Sequence, residues 1–243
     1  MLCLRTLLGP LVALVAIAFS AVPATAADLA ERAVIGYSVD GRYFAFEQFG
    51  IQDGSGFAYS EIFVIDLDRD RWVRGTPIRV RGVDETERLF DVRAEAMAEA
   101  ETHLARLHIS VPYRTLASTT PLEVGGQETR LGFYPRPILQ PIDPLITLHL
   151  ARFPMASPQD CYGMVETHGF SLALQQAGGG TVTIYRDTSL PRSRVCPERY
   201  GLADIIVPFD GGPGRAVALI SVYQLGFEGL DRRFLAVPFD LPI

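Results

Sequence analysis

RYFAFEQF (residues 42–49) and SEIFVIDL (residues 60–67) are two apolar runs that decide the fold of this chain. Both are rich in aromatic and β-branched residues, which favour strands. Their apolar side chains stand at consecutive positions instead of alternating with polar ones, which is typical of strands covered on both faces. Turn residues follow at 68–70, and a third strand begins at residues 71–74 with the single Trp72. The sequence therefore predicts an antiparallel meander.

A long amphipathic helix is predicted over residues 84–110. Apolar residues recur there at steps of three and four, which places them on one stripe of a helix. These residues are Leu89, Val92, Ala96, Ala100, Leu104 and Leu107. Asp84 and Glu87 have the spacing of a capping box, in which the side chains bind backbone N–H groups of the first turn. Pro112 ends the helix, and the small residues of the stripe predict close packing on a sheet.

The remainder of the chain returns to short strands separated by turn residues. The predicted strands are residues 129–133, 145–150, 170–175, 181–186, 203–207, 216–223 and 233–239. Val-Pro-Phe-Asp occurs at 207–210 and 237–240, and proline predicts edge strands or strand ends there because it cannot donate to a ladder. The fold class is therefore mainly β (α+β), with antiparallel sheets and one long amphipathic helix packed on them. We expect a β-meander plus helix at 27–118 and an antiparallel β region at 119–243.

Residues 1–26 have the features of a secretory signal peptide. Arg5 supplies the positive charge, and residues 7–19 form the apolar stretch. Ala-Thr-Ala at 24–26 provides the small residues that a signal peptidase recognises, so cleavage is predicted before Ala27. A retained membrane anchor needs roughly 20 apolar residues, and this stretch is shorter. We therefore expect a mature chain without a transmembrane segment, in the periplasm or secreted.

Charge and composition exclude several function classes. The 243-residue chain has a formal net charge of -6, which becomes -7 when Arg5 leaves with the signal peptide. A nucleic-acid partner is not expected, since binding nucleic acid needs a basic stripe that this sequence does not have. All 22 basic residues are arginine. Because the chain has no lysine, Schiff-base catalysis and a lysine general base are both excluded.

Two cysteines remain after Cys3 leaves with the signal peptide. In an oxidising compartment, Cys161 and Cys196 are expected to form a disulfide. A chain-entropy argument gives a loop of this length roughly 3 to 4 kcal/mol of stabilisation. The alternative is a redox or nucleophilic cysteine, but the Cys-x-x-Cys spacing that would favour it is absent.

No motif in the sequence assigns a catalytic, cofactor-binding or metal-binding residue, so neither a cofactor nor a metal is predicted. Asp66, Asp68 and Asp70 have the spacing of a calcium loop. Arg71 stands where that loop requires glycine, so a solvated hairpin turn is the better interpretation. The sequence contains neither the Gly-x-Ser-x-Gly elbow of hydrolases nor a phosphate-binding loop.

Three segments carry a resemblance to a known family. They are YSVDGRYFAF at residues 37–46, EIFVIDL at 61–67 and GFEGLDRRF at 226–234. In these the chain resembles uncharacterised bacterial proteins described as predicted secreted proteins, a domain of unknown function. The resemblance implies export and transfers no catalytic residue. The first two segments are also similar to one blade of a TolB-like β-propeller, but a closed propeller needs four or more repeating blades, and the sequence has one such copy.

The sequence leaves two functions open. The first is a non-catalytic binding or scaffold module that contacts an envelope protein or a cell-wall component. Its predicted contact loop is residues 50–59, with Asp53, Phe57 and Tyr59 as contact residues, because aromatic side chains on a glycine-rich loop make good binding surfaces. An ordinary hairpin tip is the alternative for this loop. The second function is an exported hydrolase whose site is assembled from distant residues.

Overall fold

Three antiparallel sheets and a long helix form four stacked layers in a computed structural model of the protein. The structure describes residues 27–120, 129–136, 138, 141–176, 178–209, 215–227 and 229–242. The predicted signal peptide, residues 1–26, lies outside these ranges. The predicted fold class, mainly β with one helix packed on a sheet, is confirmed.

In chain order, the strands and the helix are β1 (Glu31–Ser38), β2 (Tyr43–Ile51), β3 (Ala58–Asp66), β4 (Arg71–Trp72), β5 (Ile78–Arg81), α1 (Leu89–Arg106), β6 (Ile109–Val111), β7 (Tyr113–Ser118), β8 (Arg130–Phe133), β9 (Ile146–Pro154), β10 (His168–Gln175), β11 (Thr181–Arg186), β12 (Pro197–Pro208), β13 (Ala216–Leu225) and β14 (Leu230–Phe239). The N-terminal sheet has the order β4-β3-β2-β1-β6, with β5 paired to β3. The central sheet has the order β14-β13-β12-β7, and the outer sheet β11-β10-β9-β8.

The strands β2 and β3 are buried on both faces, as the two apolar runs predict. On one face, Phe46 and Phe63 stack with ring centroids 4.9 Å apart and pack against the central sheet. On the other face, Ile62 packs against Ala96 and Ala100 of α1. Consecutive apolar residues therefore place these strands between two layers, since both faces gain from removal of apolar surface from water.

The central sheet separates two hydrophobic cores. In β12, Ile205 faces the outer sheet and Ile206 faces the N-terminal sheet, and β13 shows the same alternation. Pro208 is the last residue of β12, and Pro238 lies in β14, an edge strand of this sheet. Both prolines therefore occupy the strand end or edge strand that the sequence predicts, where a missing N–H breaks no ladder.

The helix begins later than the sequence predicts, at Leu89 instead of residue 84. Asp84 Oδ1 accepts a hydrogen bond from the Thr86 N–H at 2.8 Å, within the preceding turn. Glu87 Oε2 accepts one from the Val83 N–H at 2.9 Å. Both carboxylates therefore bind the backbone of this turn, and the predicted capping box of the helix is wrong.

The helix also ends earlier than predicted, at Arg106. His108 has a φ of 52°, a left-handed conformation through which an α-helix cannot continue. The chain then enters β6, where Ile109 pairs with Ser38 of β1. Pairing with a distant strand has replaced the last helical turn that the local pattern predicts.

An ion pair between a partly exposed arginine and a buried carboxylate holds α1 on the N-terminal sheet. Arg93 Nη2 donates to Glu47 Oε2 at 2.7 Å, and Ser60 Oγ donates to Glu47 Oε1 at 2.9 Å. The Glu47 residue is only 2% exposed. Ala96 and Ala100 are completely buried beside it. The small residues thus allow the close approach of helix and sheet that the sequence predicts.

Four strands were not expected from the sequence pattern, namely β1, β5, β6 and β7. Because β7 pairs with β12, the last strand of the predicted region 27–118 belongs to the central sheet. Arg32 of β1 also donates to Asp204 of β12, with Nη2 2.9 Å from Oδ1. The division of the chain into two regions between residues 118 and 119 stays a prediction.

Within the described ranges, no helix combines the length and apolar character needed to cross a bilayer.

Candidate functional site

A cleft of about 660 Å³ lies along β14, an edge strand of the central sheet. Five consecutive β14 residues, 233–237, form its base. One wall comes from β2, β3, β4 and β5 of the N-terminal sheet. The other comes from residues 185–194, which begin at the end of β11 in the outer sheet. Because the central sheet stops at β14 while its neighbours extend past it, the edge strand lies at the bottom of a groove.

The backbone of β14 presents hydrogen-bonding groups to this cleft. The Arg232 N–H donates to Asp28 O at 2.9 Å, and the Phe234 N–H donates to Gln48 Oε1 at 2.8 Å, so even-numbered residues point away from β13. Ala236 has the same orientation, because backbone direction repeats every second residue and the register with β13 is unbroken. In the part of the chain that the structure describes, the Ala236 N–H has no hydrogen-bond partner.

The free part of the edge is short and has a defined end. By the same alternation, the carbonyl groups of Phe234 and Ala236 face the cleft. Pro238, the next outward residue, has no N–H to offer. An unpaired row of donors and acceptors on an edge strand is a template for pairing with another extended chain.

The wall from the N-terminal sheet combines aromatic and polar side chains along β3. Phe63 contacts Trp72, with ring centroids 5.6 Å apart, and Trp72 is 42% exposed. Two residues before Phe63, Glu61 Oε1 accepts a hydrogen bond from Arg79 Nε at 2.7 Å, and Glu61 Oε2 accepts one from Gln48 Nε2. Since Gln48 also binds the backbone of β14, this wall is tied to the strand at the base of the cleft.

The opposite wall contains a buried cluster of Tyr185, Asp187 and Arg194. Arg194 Nη1 donates to Asp187 Oδ2 at 2.6 Å, and Arg194 Nη2 donates to the Tyr185 hydroxyl at 2.8 Å. Asp187 also accepts bonds from the Tyr185 hydroxyl at 2.6 Å and from the Phe170 N–H at 2.8 Å. Burial raises the pKa of Tyr185 far above its ordinary value, so its hydroxyl remains a donor. The cluster fixes this wall against the outer sheet.

A disulfide fixes the segment that carries this wall. Cys161 and Cys196 are bonded, with Cα atoms 5.8 Å apart, which confirms the predicted pair. Arg194 lies two residues before Cys196. Ser157 Oγ donates to Val195 O at 2.7 Å, so a hydrogen bond reinforces the covalent link. The wall is therefore attached to the loop that follows β9.

The cleft is more positive than the protein as a whole. Five arginines and three carboxylates line it, whereas the chain carries a formal net charge of -6. These residues are Arg71, Arg79, Arg186, Arg194 and Arg233, with Glu61, Asp70 and Asp187. Three of the arginines, Arg79, Arg194 and Arg233, form ion pairs. Among the described residues, Arg71 and Arg186 have no carboxylate partner, and Arg186 Cζ lies 4.1 Å from the ring centroid of Phe153. Because Asp70 is the one lining carboxylate outside the ion pairs, the two arginines leave the cleft with an excess of positive charge.

The predicted contact loop lies outside this cleft. Asp53 and Phe57 are partly exposed in the connection between β2 and β3, and Arg81 Cζ lies 5.1 Å from the Phe57 ring centroid. Tyr59 instead belongs to β3, is 8% exposed, and donates its hydroxyl to Asp28 Oδ1 at 2.7 Å. The ring of Tyr59 is therefore part of the core, and its predicted role as a contact residue stays a prediction. Binding through Asp53 and Phe57 stays a prediction.

The calcium-like spacing at residues 66–70 is occupied by ion pairs. Asp66 Oδ2 accepts bonds from Arg42 Nη2 at 2.7 Å and from Arg69 Nη1 at 2.8 Å. The hydrogen bond from Arg42 lowers the pKa of Asp66 to about 2. These contacts agree with the hairpin turn that the sequence favours. Among the described residues, no group of three or more His, Cys, Asp or Glu side chains is arranged to hold a metal ion.

Comparison with known proteins identifies a family. Curated proteins give no match to the chain. The family described as "Predicted secreted protein (DUF2259)" matches residues 45–239, from within β2 to the end of β14. This range contains the helix, the disulfide and every residue that lines the cleft. It confirms the resemblance to predicted secreted proteins, while the likeness to a propeller blade stays a prediction. The chain belongs to the DUF2259 family of predicted secreted proteins.

Proposed function

We propose that this protein is an exported, non-catalytic binding module that holds an envelope protein in the cleft along β14. The observation that carries the proposal is the position of an unpaired strand edge at the base of a groove with two fixed walls. Edge strands that are left open and accessible are sites of pairing with other chains, and proteins without such a function cover or interrupt them.

Export is supported by three independent features. The family is described as one of predicted secreted proteins, residues 1–26 have the pattern of a cleavable signal peptide, and disulfides persist in oxidising compartments. We infer that the mature chain acts in the periplasm or outside the cell, where its partner is another envelope protein.

Two of the three carboxylates that line the cleft, Glu61 and Asp187, are held in ion pairs, which supports binding over hydrolysis. Asp187 accepts hydrogen bonds from Arg194, Tyr185 and a backbone N–H. Glu61 accepts bonds from Arg79 and Gln48. These two carboxylates hold the walls together through their donors, which is the behaviour expected of a structural part of a binding site.

Site-specific crosslinking in the native envelope tests this function. A photoreactive residue at Trp72, which lines the cleft, is compared with one at Phe90, an exposed residue on α1. We expect an envelope protein to be crosslinked from position 72 and not from position 90. Ser189→Trp, which fills the cleft from an exposed position, should abolish the product. Equal crosslinking from both positions, or none from position 72, would contradict the proposal.

A further inference from the structure

We infer that the partner contributes an extended acidic peptide segment, which adds to the central sheet as a fifth strand beside β14. The inference rests on the proposed function and specifies how the same cleft recognises its partner. Three features of the cleft support it. They are the direction of the unpaired backbone groups of β14, the different side chains on the two walls, and the charge of the residues that line the cleft.

The backbone groups define where the added strand pairs. Asp28 and Gln48 already occupy the outward N–H groups of Arg232 and Phe234. Beyond them, the outward groups are the carbonyl of Phe234 and both the N–H and the carbonyl of Ala236. Outward residues on one strand are separated by about 6.6 to 6.8 Å, so the open stretch matches roughly three to five residues of an extended peptide.

The two walls define which side chains the peptide carries. Successive side chains of a strand point to opposite faces. Those on one face would meet Phe63, Ile65 and Trp72 of the N-terminal sheet, and those on the other would meet the Tyr185 cluster and Val222. The first wall has the apolar side chains of Phe63, Ile65 and Trp72 beside the ion pair of Glu61 and Arg79. Trp72 is 42% exposed, so its ring offers apolar surface that a partner can cover. An apolar residue at alternate positions of the peptide fits this wall.

Charge selects an acidic peptide. Arg71 and Arg186 line the cleft without a carboxylate partner among the described residues, and Asp70 is the one lining carboxylate outside the ion pairs. Since the chain as a whole is acidic, this positive region is local and complements a negatively charged segment. The charge also argues against a second copy of this acidic chain as the occupant.

Peptide selection with an edge-blocking variant tests the inference. A display library of random nine-residue peptides is selected on the oxidised chain 27–243, and the selected peptides are measured by titration. Ala236→Pro removes the N–H of residue 236, which points into the cleft, just as Pro238 lacks an N–H at the next outward position. The hydrogen bonds between β14 and β13 come from the odd-numbered residues of β14, so the substitution leaves them in place. We expect acidic peptides with alternating apolar residues, and at least tenfold weaker binding to Ala236→Pro. The matched control, Ala236→Gly, keeps the N–H and should bind within threefold of wild type.

Charge reversal gives a second measurement that does not depend on how Ala236→Pro folds. Arg71→Glu with Arg186→Glu should weaken the selected peptides at least tenfold, and versions of those peptides with lysine for each acidic residue should regain binding. Failure to select any peptide, selection of peptides without acidic residues, or undiminished binding to a folded Ala236→Pro variant would each overturn the inference. A dimer of the chain that Ala236→Pro dissociates would also overturn it, because a second copy would then be the occupant.

The crosslinking experiment separates this inference from the proposed function. If the product from position 72 persists in Ala236→Pro, the cleft binds a partner but not by strand addition. If position 72 gives no product while acidic peptides still bind, strand addition is supported and the partner class of the proposed function is wrong. If position 72 gives no crosslinked product and no acidic peptide is selected, both the proposed function and the strand-addition inference are wrong.

Discussion

Asp28 Oδ2 lies 2.5 Å from Arg233 Nη2, and this ion pair joins the second residue of the predicted mature chain to β14. The Tyr59 hydroxyl donates to Asp28 Oδ1 at 2.7 Å, and the Arg232 N–H donates to Asp28 O at 2.9 Å. Asp28 is 2% exposed. The segment that directly follows the predicted cleavage position is therefore part of the core, and it covers the edge of β14 next to the cleft.

Replacing Asp28 is expected to destabilise the protein strongly. Asp28→Asn removes the charge that Arg233 faces in a buried site, and breaking a buried ion pair from one side costs about 3 to 5 kcal/mol. Urea unfolding of the chain 27–243 at pH 7 measures this loss. Glu31→Gln is the matched control, because Glu31 is 55% exposed and lies 3.7 Å from Arg232. Exposed pairs contribute about 0 to 1 kcal/mol. Equal losses in both variants would contradict a core role for Asp28.

Removing the disulfide should loosen one wall of the cleft as well as destabilise the fold. Closing a loop of 35 residues is worth about 3 to 4 kcal/mol in the chain-entropy description, so the double variant Cys161→Ser with Cys196→Ser should lose that much free energy of unfolding. Hydrogen exchange of the Arg194 and Val195 amides should become faster, while exchange in β13 should change only as much as global stability does. Unchanged exchange at Arg194 would show that the wall is held without the disulfide.

Packing of α1 on the N-terminal sheet is tested by one substitution at two positions. Ala100 is completely buried and Ala98, on the same helix, is exposed. Ala100→Leu forces extra methyl groups into the contact with Ile62 and should cost about 1 to 3 kcal/mol. Ala98→Leu should change stability by less than about 0.5 kcal/mol. Thermal and urea unfolding of both variants measure the difference, and equal effects would show that the helix contact is loose.

The sequence predicts those elements whose local residue pattern alone determines their conformation and burial. β2 and β3 each contain a run of consecutive apolar residues, and this pattern predicts that both faces of each strand are buried. β1 was missed because its apolar run is short and a bulge between Val34 and Gly36 interrupts the ladder. Its strand conformation is set by pairing with β2 and β6, which residue pattern cannot reveal. The helix end at His108 has the same cause, since β6 competes with the last helical turn.

The candidate cleft was not predictable because three distant segments build it. Glu61 and Trp72 come from the N-terminal sheet, residues 185–194 begin at the end of β11 in the outer sheet, and residues 233–237 belong to the central sheet. Two signals nevertheless pointed toward it. Proline in the second Val-Pro-Phe-Asp run marks β14 as an edge strand, and the cysteine pair indicates that the segment before Cys196 is fixed.

Asp66 is expected to contribute to stability in a pH-dependent way. The hydrogen bond from Arg42 lowers the pKa of Asp66 from 3.8 to about 2 in the folded protein. A carboxyl group whose pKa is lower in the folded state binds its proton more readily in the unfolded state. Its contribution to stability is therefore fully present above the unfolded value near 4, and it is lost as the pH falls through the folded value near 2.

Acid unfolding of the Asp66→Asn variant measures this contribution. The free energy of unfolding of the wild type should fall more steeply between pH 4 and pH 2 than that of Asp66→Asn, because the variant has no proton to bind at this position. Above about pH 5 the two curves should run parallel. Asp68→Asn is the matched control in the same turn, since Asp68 is 64% exposed and its oxygen lies 3.7 Å from Arg42 Nε. If the free energy of unfolding of Asp66→Asn falls as steeply with pH as that of the wild type, the ion pairs between Asp66 and the arginines do not persist in solution. This turn would then not be an ion-paired hairpin.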